Sequence, residues 1–351
     1  MARENKTFVL AQRPKTHIVP GETFRLEKAP APTADDLKDG QVLVEALYLS
    51  LDPAMRGWLN DVRSYLPPVG IGEKMRGNAV ARVIASKSSK VKEGDIVTAG
   101  TGWTEVAILG EKDIQKLEVP KGGKITDLIG VLGLTGMTAW TGLEHIGKPK
   151  AGETVVVSGA AGATGSVVGQ IAKQRGCRVV GIAGSDDKCA WLTGELGFDV
   201  ALNYKKDSFR KDLEAATPGY IDVFWDNVGG EILEAALHRA NKHARFVMCG
   251  AISAYNEPGK ESKGIRNLSQ LIAQRIHMEG FIVFDYLADY PRARQEIGNW
   301  LAEGKLKRKE TIVTGGIEKA EYAIRDLFEG KNTGKLLVEI KSPDQVRGSK
   351  L

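Results

Sequence analysis

The rhythm of apolar and polar positions changes near residue 130. Before it, short alternating runs at 42–49, 77–84, 95–98 and 104–109 are broken by glycine and proline. Runs of that length with turn residues between them predict the short strands of a small β-barrel-like domain. Beyond it, apolar runs at 155–157, 178–183, 221–226, 244–248 and 277–283 alternate with stretches of helical spacing. That alternation predicts an α/β chain with a doubly wound parallel sheet. After Trp300 turns return, followed by a helix over 317–329 and a last strand over 334–340. No internal repeat or low-complexity segment interrupts this order.

The junction of the first strand and helix in the second region carries the chemistry. After Val155-Val156-Val157-Ser158-Gly159 comes Ala160-x-Gly162-x-x-Gly165, a dinucleotide fingerprint whose first glycine is replaced by alanine. Gly162 lets the backbone approach a pyrophosphate, Gly165 lets the helix pack close to the strand, and the N–H groups around Ala163 and Thr164 face the anion. With 41 glycines in 351 residues, such a turn also arises by chance, so the flanks decide. Val167, Val168, Ile171 and Ala172 have helical spacing, Gly176 ends the helix, and 178–183 reads as a second buried strand. Strand, glycine turn, helix and strand form the βαβ unit of a Rossmann-type sheet.

The end of that second strand discriminates between dinucleotides. Enzymes using NAD place a carboxylate there for the ribose hydroxyls, whereas this chain has Ala183-Gly184-Ser185. Ser185 can donate a hydrogen bond to a 2′-phosphate and Lys188 can supply charge, which favours NADPH/NADP+. Asp186 and Asp187 point mildly the other way, although a serine cap followed by acids is also what an ordinary helix start needs.

Composition narrows the class. A length of 351 residues, 42% hydrophobic and 26% charged, fits a two-domain globular enzyme. A net charge of +5 with interspersed signs shows no nucleic-acid stripe. No apolar run is long enough to span a membrane, and the first residues lack the apolar stretch of a signal peptide. Cys177, Cys189 and Cys249, and likewise His17, His145, His238, His243 and His277, are scattered. His238 and His243 read as a surface pair on a helix and its exit. Neither a disulfide framework nor a metal site is indicated, so hydride chemistry here needs another way to polarise a substrate.

Seven strings together resemble one family: 48–56 (Tyr-Leu-Ser-Leu-Asp-Pro-Ala-Met-Arg), 134–139 (Leu-Thr-Gly-Met-Thr-Ala), 160–166, 226–230 (Asp-Asn-Val-Gly-Gly), 249–253 (Cys-Gly-Ala-Ile-Ser), 280–283 (Gly-Phe-Ile-Val) and 330–335 (Gly-Lys-Asn-Thr-Gly-Lys). The chain is similar over nearly its whole length to the zinc-independent medium-chain dehydrogenases/reductases of the leukotriene B4 12-hydroxydehydrogenase, prostaglandin reductase, alkenal double-bond reductase and curcumin reductase group. The resemblance implies a GroES-like substrate and catalytic domain over 1–130, an NADPH-binding Rossmann domain over 131–308, and a segment over 309–351 that returns to the catalytic domain and ends in a flexible tail. It implies that Lys188 and Tyr204 hold the 2′-phosphate and that Asn227 serves the nicotinamide-side ribose. Cys249, Gly250, Ala251, Ile252, Ser253 and Tyr255 would lie along the nicotinamide with Phe281, Ile282 and Val283. Met137 and Thr138 would stand behind it, and Pro53 and Asn332 would also reach it. A homodimer is the family expectation.

The implied reaction is reduction of the C=C bond of an α,β-unsaturated ketone or aldehyde, by hydride addition at the β-carbon and protonation of the enolate. Tyr48, Tyr65 and Tyr255 are the candidate donors, since a phenol can hydrogen-bond an enolate oxygen and lend a proton. The tyrosine that relatives often carry eight residues before the Gly-Phe phenylalanine is Ala273 here, and Ala54 replaces a frequent aromatic residue. Both changes imply a wider pocket, nearer the curcumin-reductase side. The alternative is a catalytically silent NADPH-binding protein with a sensing or scaffold role. Ser349-Lys350-Leu351 matches a peroxisomal address read by an import receptor, so the expected location is cytoplasmic, peroxisomal or both.

Overall fold

A computed structural model describes residues 3–257 and 264–343; Ser349-Lys350-Leu351 lies outside them. The chain divides into two compact units, Met1–Gly130 with Glu310–Leu351, and Val131–Lys309.

The second unit carries a six-stranded sheet. Its strands are β1 (Thr154–Val157), β2 (Arg178–Ala183), β3 (Val200–Asn203), β4 (Ile221–Asp226), β5 (Ala240–Met248) and β6 (His277–Gly280). All pairs are parallel and the spatial order is 3-2-1-4-5-6, the doubly wound arrangement whose strand order reverses between β1 and β4. Helices α1 (Leu134–Gly142), α2 (Ala163–Gln174), α3 (Asp186–Gly194), α4 (Phe209–Ala216) and α5 (Gly230–His238) accompany them. Val155, Val156 and Val157 are fully buried, which explains why β1 is a continuous apolar run rather than an alternating one. Phe224 and Phe246 pack ring to ring at 5.1 Å in the core, each contributing about 1.5–3 kcal/mol by burial. Helix α2 ends where Gly176 takes a φ of +77°, the left-handed stop that favours glycine.

Two local readings are corrected. The last strand stops at Gly280, not Val283, because Phe281 leaves the sheet to meet Trp225 edge-on at 5.9 Å. His243 lies inside β5, not at a helix exit. There the β4–β5 register jumps from Ile221↔Ala240 to Val223↔Arg245, and His243 bulges out at a φ of +61°.

The first unit is mainly antiparallel. Its long strand Gln41–Leu51 pairs with Val106–Gly110, Ala79–Ser86 and Lys335–Glu339. Beyond these lie Ile96–Ala99 with Ile114–Gln115 on one side and Glu310–Val313 on the other. Two register shifts against Ala79–Ser86 bend the long strand as a barrel-like wall requires. A hairpin of Glu4–Leu10 and Phe24–Pro30 brings Phe8 and Phe24 against Trp103 at 6.0 and 4.9 Å.

Candidate cofactor site

In an open parallel sheet, ligands bind beyond the carboxyl ends of the strands where the order reverses. Here that place is flanked by the turn after β1 and the loop after β4. Gly159, with a φ of +58°, makes the sharp bend, so alanine is tolerated at 160. Gly162 caps α2 in extended conformation. Ser166 is the first residue to close an intrahelical bond, to Gly162 O at 3.0 Å, so the amides of Ala163, Thr164 and Gly165 point out of the helix end toward an anion. A Cβ on Gly165 would sit 2.5 Å from the Gly159 carbonyl oxygen and 2.9 Å from Ala160 Cα. Helix and turn therefore touch backbone to backbone.

At the end of β2 the side chains form a cationic corner. Ser185 caps α3 by accepting the Lys188 N–H at 3.4 Å, an interaction that leaves its hydroxyl proton able to donate. The Lys188 ammonium is half-buried, and burial, then the neighbouring Lys205, hold its pKa below the usual lysine value. A Cβ on Gly184 would stand 3.1 Å from the Tyr204 ring, 3.5 Å from its hydroxyl and 3.6 Å from Lys205 Cε. Only glycine leaves this corner open. Asp186, the acid that seemed to oppose a phosphate, is turned aside by Lys206 at 2.8 Å and Asn203 at 3.1 Å. Ser185, Lys188, Tyr204 and Lys205 thus suit a 2′-phosphate. Lys205 was missed from sequence, where it is one of many lysines; its place two residues beyond the end of β3 was the available signal.

The other end of the rim is a hydrogen-bonded loop. Asn227 Oδ1 accepts the Trp225 indole N–H at 3.0 Å, and its Nδ2 donates to Ser158 O at 2.7 Å, so one amide hydrogen is left for a ligand. Asp226 is fully buried; its Oδ1 accepts from Ser158 Oγ and from the Val228 and Gly229 amides, yet burial still pushes its carboxyl up. Tyr255 Oη accepts the Ala251 N–H at 3.2 Å and lies 3.1 Å from where a Cβ on Gly250 would be. Ser253 Oγ donates to Val228 O at 2.6 Å, joining the 249–255 and 227–230 segments, while Ile252 N–H donates to Asn227 O at 3.2 Å. Met137 is fully buried on α1 and Thr138 Oγ1 donates to Leu134 O. Phe281, Ile282 and Val283 are half-buried where the chain leaves β6, and Ala273 is exposed on the helix Ser269–Gln274.

Burial raises the Cys249 thiol to about 12, helped by the Asp226 charge. A thiol with that pKa holds roughly one thiolate in 10⁴ molecules at pH 8. Iodoacetamide at pH 8 is therefore expected to leave Cys249 unmodified, as mass spectrometry of the digested protein would read. Rapid labelling of Cys249 would show that the thiolate is stabilised.

The remaining candidates belong to the first unit. Pro53 precedes the short helix Ala54–Gly57, and Asn332 precedes the strand Lys335–Glu339, its Nδ2 donating to Gly334 O at 2.9 Å. Tyr65 is 44% exposed and its hydroxyl accepts the Trp58 indole N–H at 2.9 Å. Tyr48 differs from the other two tyrosines. It is buried within the sheet, and its hydroxyl donates to Glu339 Oε2, its cross-strand partner, at 3.3 Å. That geometry directs its proton at a structural carboxylate.

Two family models match the chain, one described as the N-terminal domain of oxidoreductase over residues 6–117 and one as zinc-binding dehydrogenase over 163–299. The NADPH-dependent curcumin reductase of Escherichia coli is 41% identical over 348 residues, covering 97% of this chain and 99% of that protein. The chain belongs to the zinc-independent medium-chain dehydrogenase/reductase family. Other members are prostaglandin reductase 1 of Bos taurus, 42% identical over 86% of this chain and 90% of its own, and CurA of Vibrio vulnificus. The CurA structure in complex with NADPH is 40% identical, with a TM-score of 0.87 over 96% of this chain and 100% of its own. Among the described residues of this member, no three His, Cys, Asp or Glu side chains are grouped as a metal site requires, and no helix is long and apolar enough to cross a membrane.

Proposed function

We propose that this protein reduces the C=C bond of bulky α,β-unsaturated ketones or aldehydes with NADPH. At family level it is an NADP-dependent oxidoreductase acting on carbon–carbon double bonds. The observation that carries the cofactor choice is the corner of Ser185, Lys188, Tyr204 and Lys205, beside a strand end that offers alanine in place of a carboxylate. The substrate class is supported by relatives that include a curcumin reductase and a prostaglandin reductase. Bound NADPH supplies a hydride for the substrate β-carbon.

The chain's own residues orient and protonate. The amides of Ala163–Gly165 and the cationic corner hold the phosphates, the remaining Asn227 amide hydrogen meets a ribose hydroxyl, and a phenol stabilises the enolate oxygen. Tyr255 and Tyr65 suit that last task because each hydroxyl accepts an N–H. Such a bond favours the phenolate and makes the phenol a better donor. A homodimer is part of the same proposal.

The test compares Tyr255→Phe and Tyr65→Phe, with enone-dependent NADPH oxidation and NADPH affinity measured separately. The donor tyrosine is expected to lose about 10²–10⁴-fold in kcat with cofactor affinity unchanged. NADPH binding without consumption of any enone in a panel would instead support a silent cofactor-binding protein.

A further inference from the structure

Two of the strings that mark the family meet in the first unit through one ion pair. Lys335 is only 4% exposed, and its ammonium donates to Asp52 Oδ1 at 2.5 Å and to Leu51 O at 3.2 Å. Strand register brings them together: Leu336 lies opposite Leu51 in the antiparallel pair, so Lys335 meets the residue that follows Leu51. Asp52 Oδ2 accepts the Ser50 hydroxyl at 2.6 Å, which fixes the carboxylate at both oxygens. Glu310 neighbours Lys335 on the parallel strand and lies 3.9 Å from Lys124.

A buried ammonium is tolerated only when paired, and a pair of well-packed apolar residues often stabilises as much. Burial of this pair is thus poorly explained by stability. What it supplies is direction. Asp52 O accepts the Met55 N–H and Pro53 O the Arg56 N–H, at 3.0 and 3.1 Å. The buried Arg56 guanidinium holds the far side of that turn through the carbonyls of Pro14 and Thr16 and through Asn60. On the lysine side, Thr333 N donates to Thr311 Oγ1 at 3.1 Å, and Thr311 Oγ1 donates back to Thr333 O at 3.0 Å. Pro53 lies one residue from one end of the ion pair and Asn332 three residues from the other.

We propose that the Lys335–Asp52 pair is a positioning clamp that sets Pro53 and Asn332 at the nicotinamide end of the cofactor. The clamp rests on the function proposed above. Neither residue touches the reacting atoms; both act through the neighbours they hold.

The decisive variant is the double substitution Lys335→Met/Asp52→Asn, which leaves no buried charge alone and so folds even where either single substitution does not. At saturating NADPH its kcat for an enone is expected to fall tenfold or more. Its melting temperature should stay near that of the parent, and its Kd for NADPH should change less than threefold because the phosphate corner is intact. A folded double variant with parental kcat overturns the clamp. Should the parent bind NADPH and consume no enone, the functional reading fails, and the clamp is judged on the fluorescence of bound NADPH. The expected result is then emission shifted toward that of free cofactor in the double variant, and unchanged emission overturns it.

Discussion

Replacing both Lys188 and Lys205 with methionine is expected to raise the Kd for NADPH by about 10²–10³-fold while changing that for NADH less than about threefold. The size follows from what a 2′-phosphate loses. A hydrogen bond to a charged group contributes about 1.5–3 kcal/mol, and each 1.4 kcal/mol is a factor of ten. Lys188 alone should account for about ten- to a hundredfold, since its half-buried ammonium feels little competition from water. Lys205 is exposed and should add less. The sign of the pH dependence follows from the same geometry. Burial and Lys205 hold the Lys188 pKa below the usual lysine value, and an arriving phosphate favours the charged form. Binding therefore takes up a proton where the free protein has begun to lose it. NADPH affinity should fall as pH rises through that depressed pKa, and NADH affinity should not follow. Fluorescence titrations with both cofactors across alkaline pH measure this. Equal losses for the two cofactors would mean that the lysines support the fold and not the phosphate.

Much of this site was legible because its determinants are local. A buried strand, a glycine turn and a helical period lie within one short stretch, and the fingerprint, the missing carboxylate after β2 and the Ser185 cap could each be read there. What escaped depended on contacts between distant segments. Asp186 looked like an argument against a phosphate until Lys206 and Asn203, beyond and at the end of another strand, were found to engage it. Lys205 gained meaning only when the register of β2 and β3 put Ala183 beside Asn203. Tyr48 belonged to a family string and read as a donor, whereas its cross-strand neighbour Glu339, nearly three hundred residues on, receives its proton. The early end of β6 has the same origin, because the pull on Phe281 comes from Trp225. Propensity and spacing describe neither.

The glycine turn separates two roles that the fingerprint joins, and a pair of substitutions should show them apart. Gly165→Val places a Cβ 2.5 Å from Gly159 O and 2.9 Å from Ala160 Cα. Both obstacles are backbone, so α2 must move off the turn. Overpacking of this kind costs about 1–3 kcal/mol, and a branched side chain belongs at the upper end. For a unit of this size that is a fall of roughly 5–10 °C in melting temperature. The amides of Ala163–Gly165 move with the helix, so NADPH affinity should drop at least tenfold as well. Gly162→Ala should behave differently. Its backbone is ordinary extended conformation, and its added Cβ meets only Gly159 O, at 3.2 Å, so the melting temperature should fall by no more than about 2 °C. That methyl nonetheless stands where a pyrophosphate must approach the backbone, and NADPH affinity should fall without loss of fold. Differential scanning calorimetry and cofactor titration on the two variants give the comparison. A Gly165→Val protein that melts with the parent would show that helix and turn do not touch as described, and a Gly162→Ala protein that binds NADPH normally would move the pyrophosphate away from this turn.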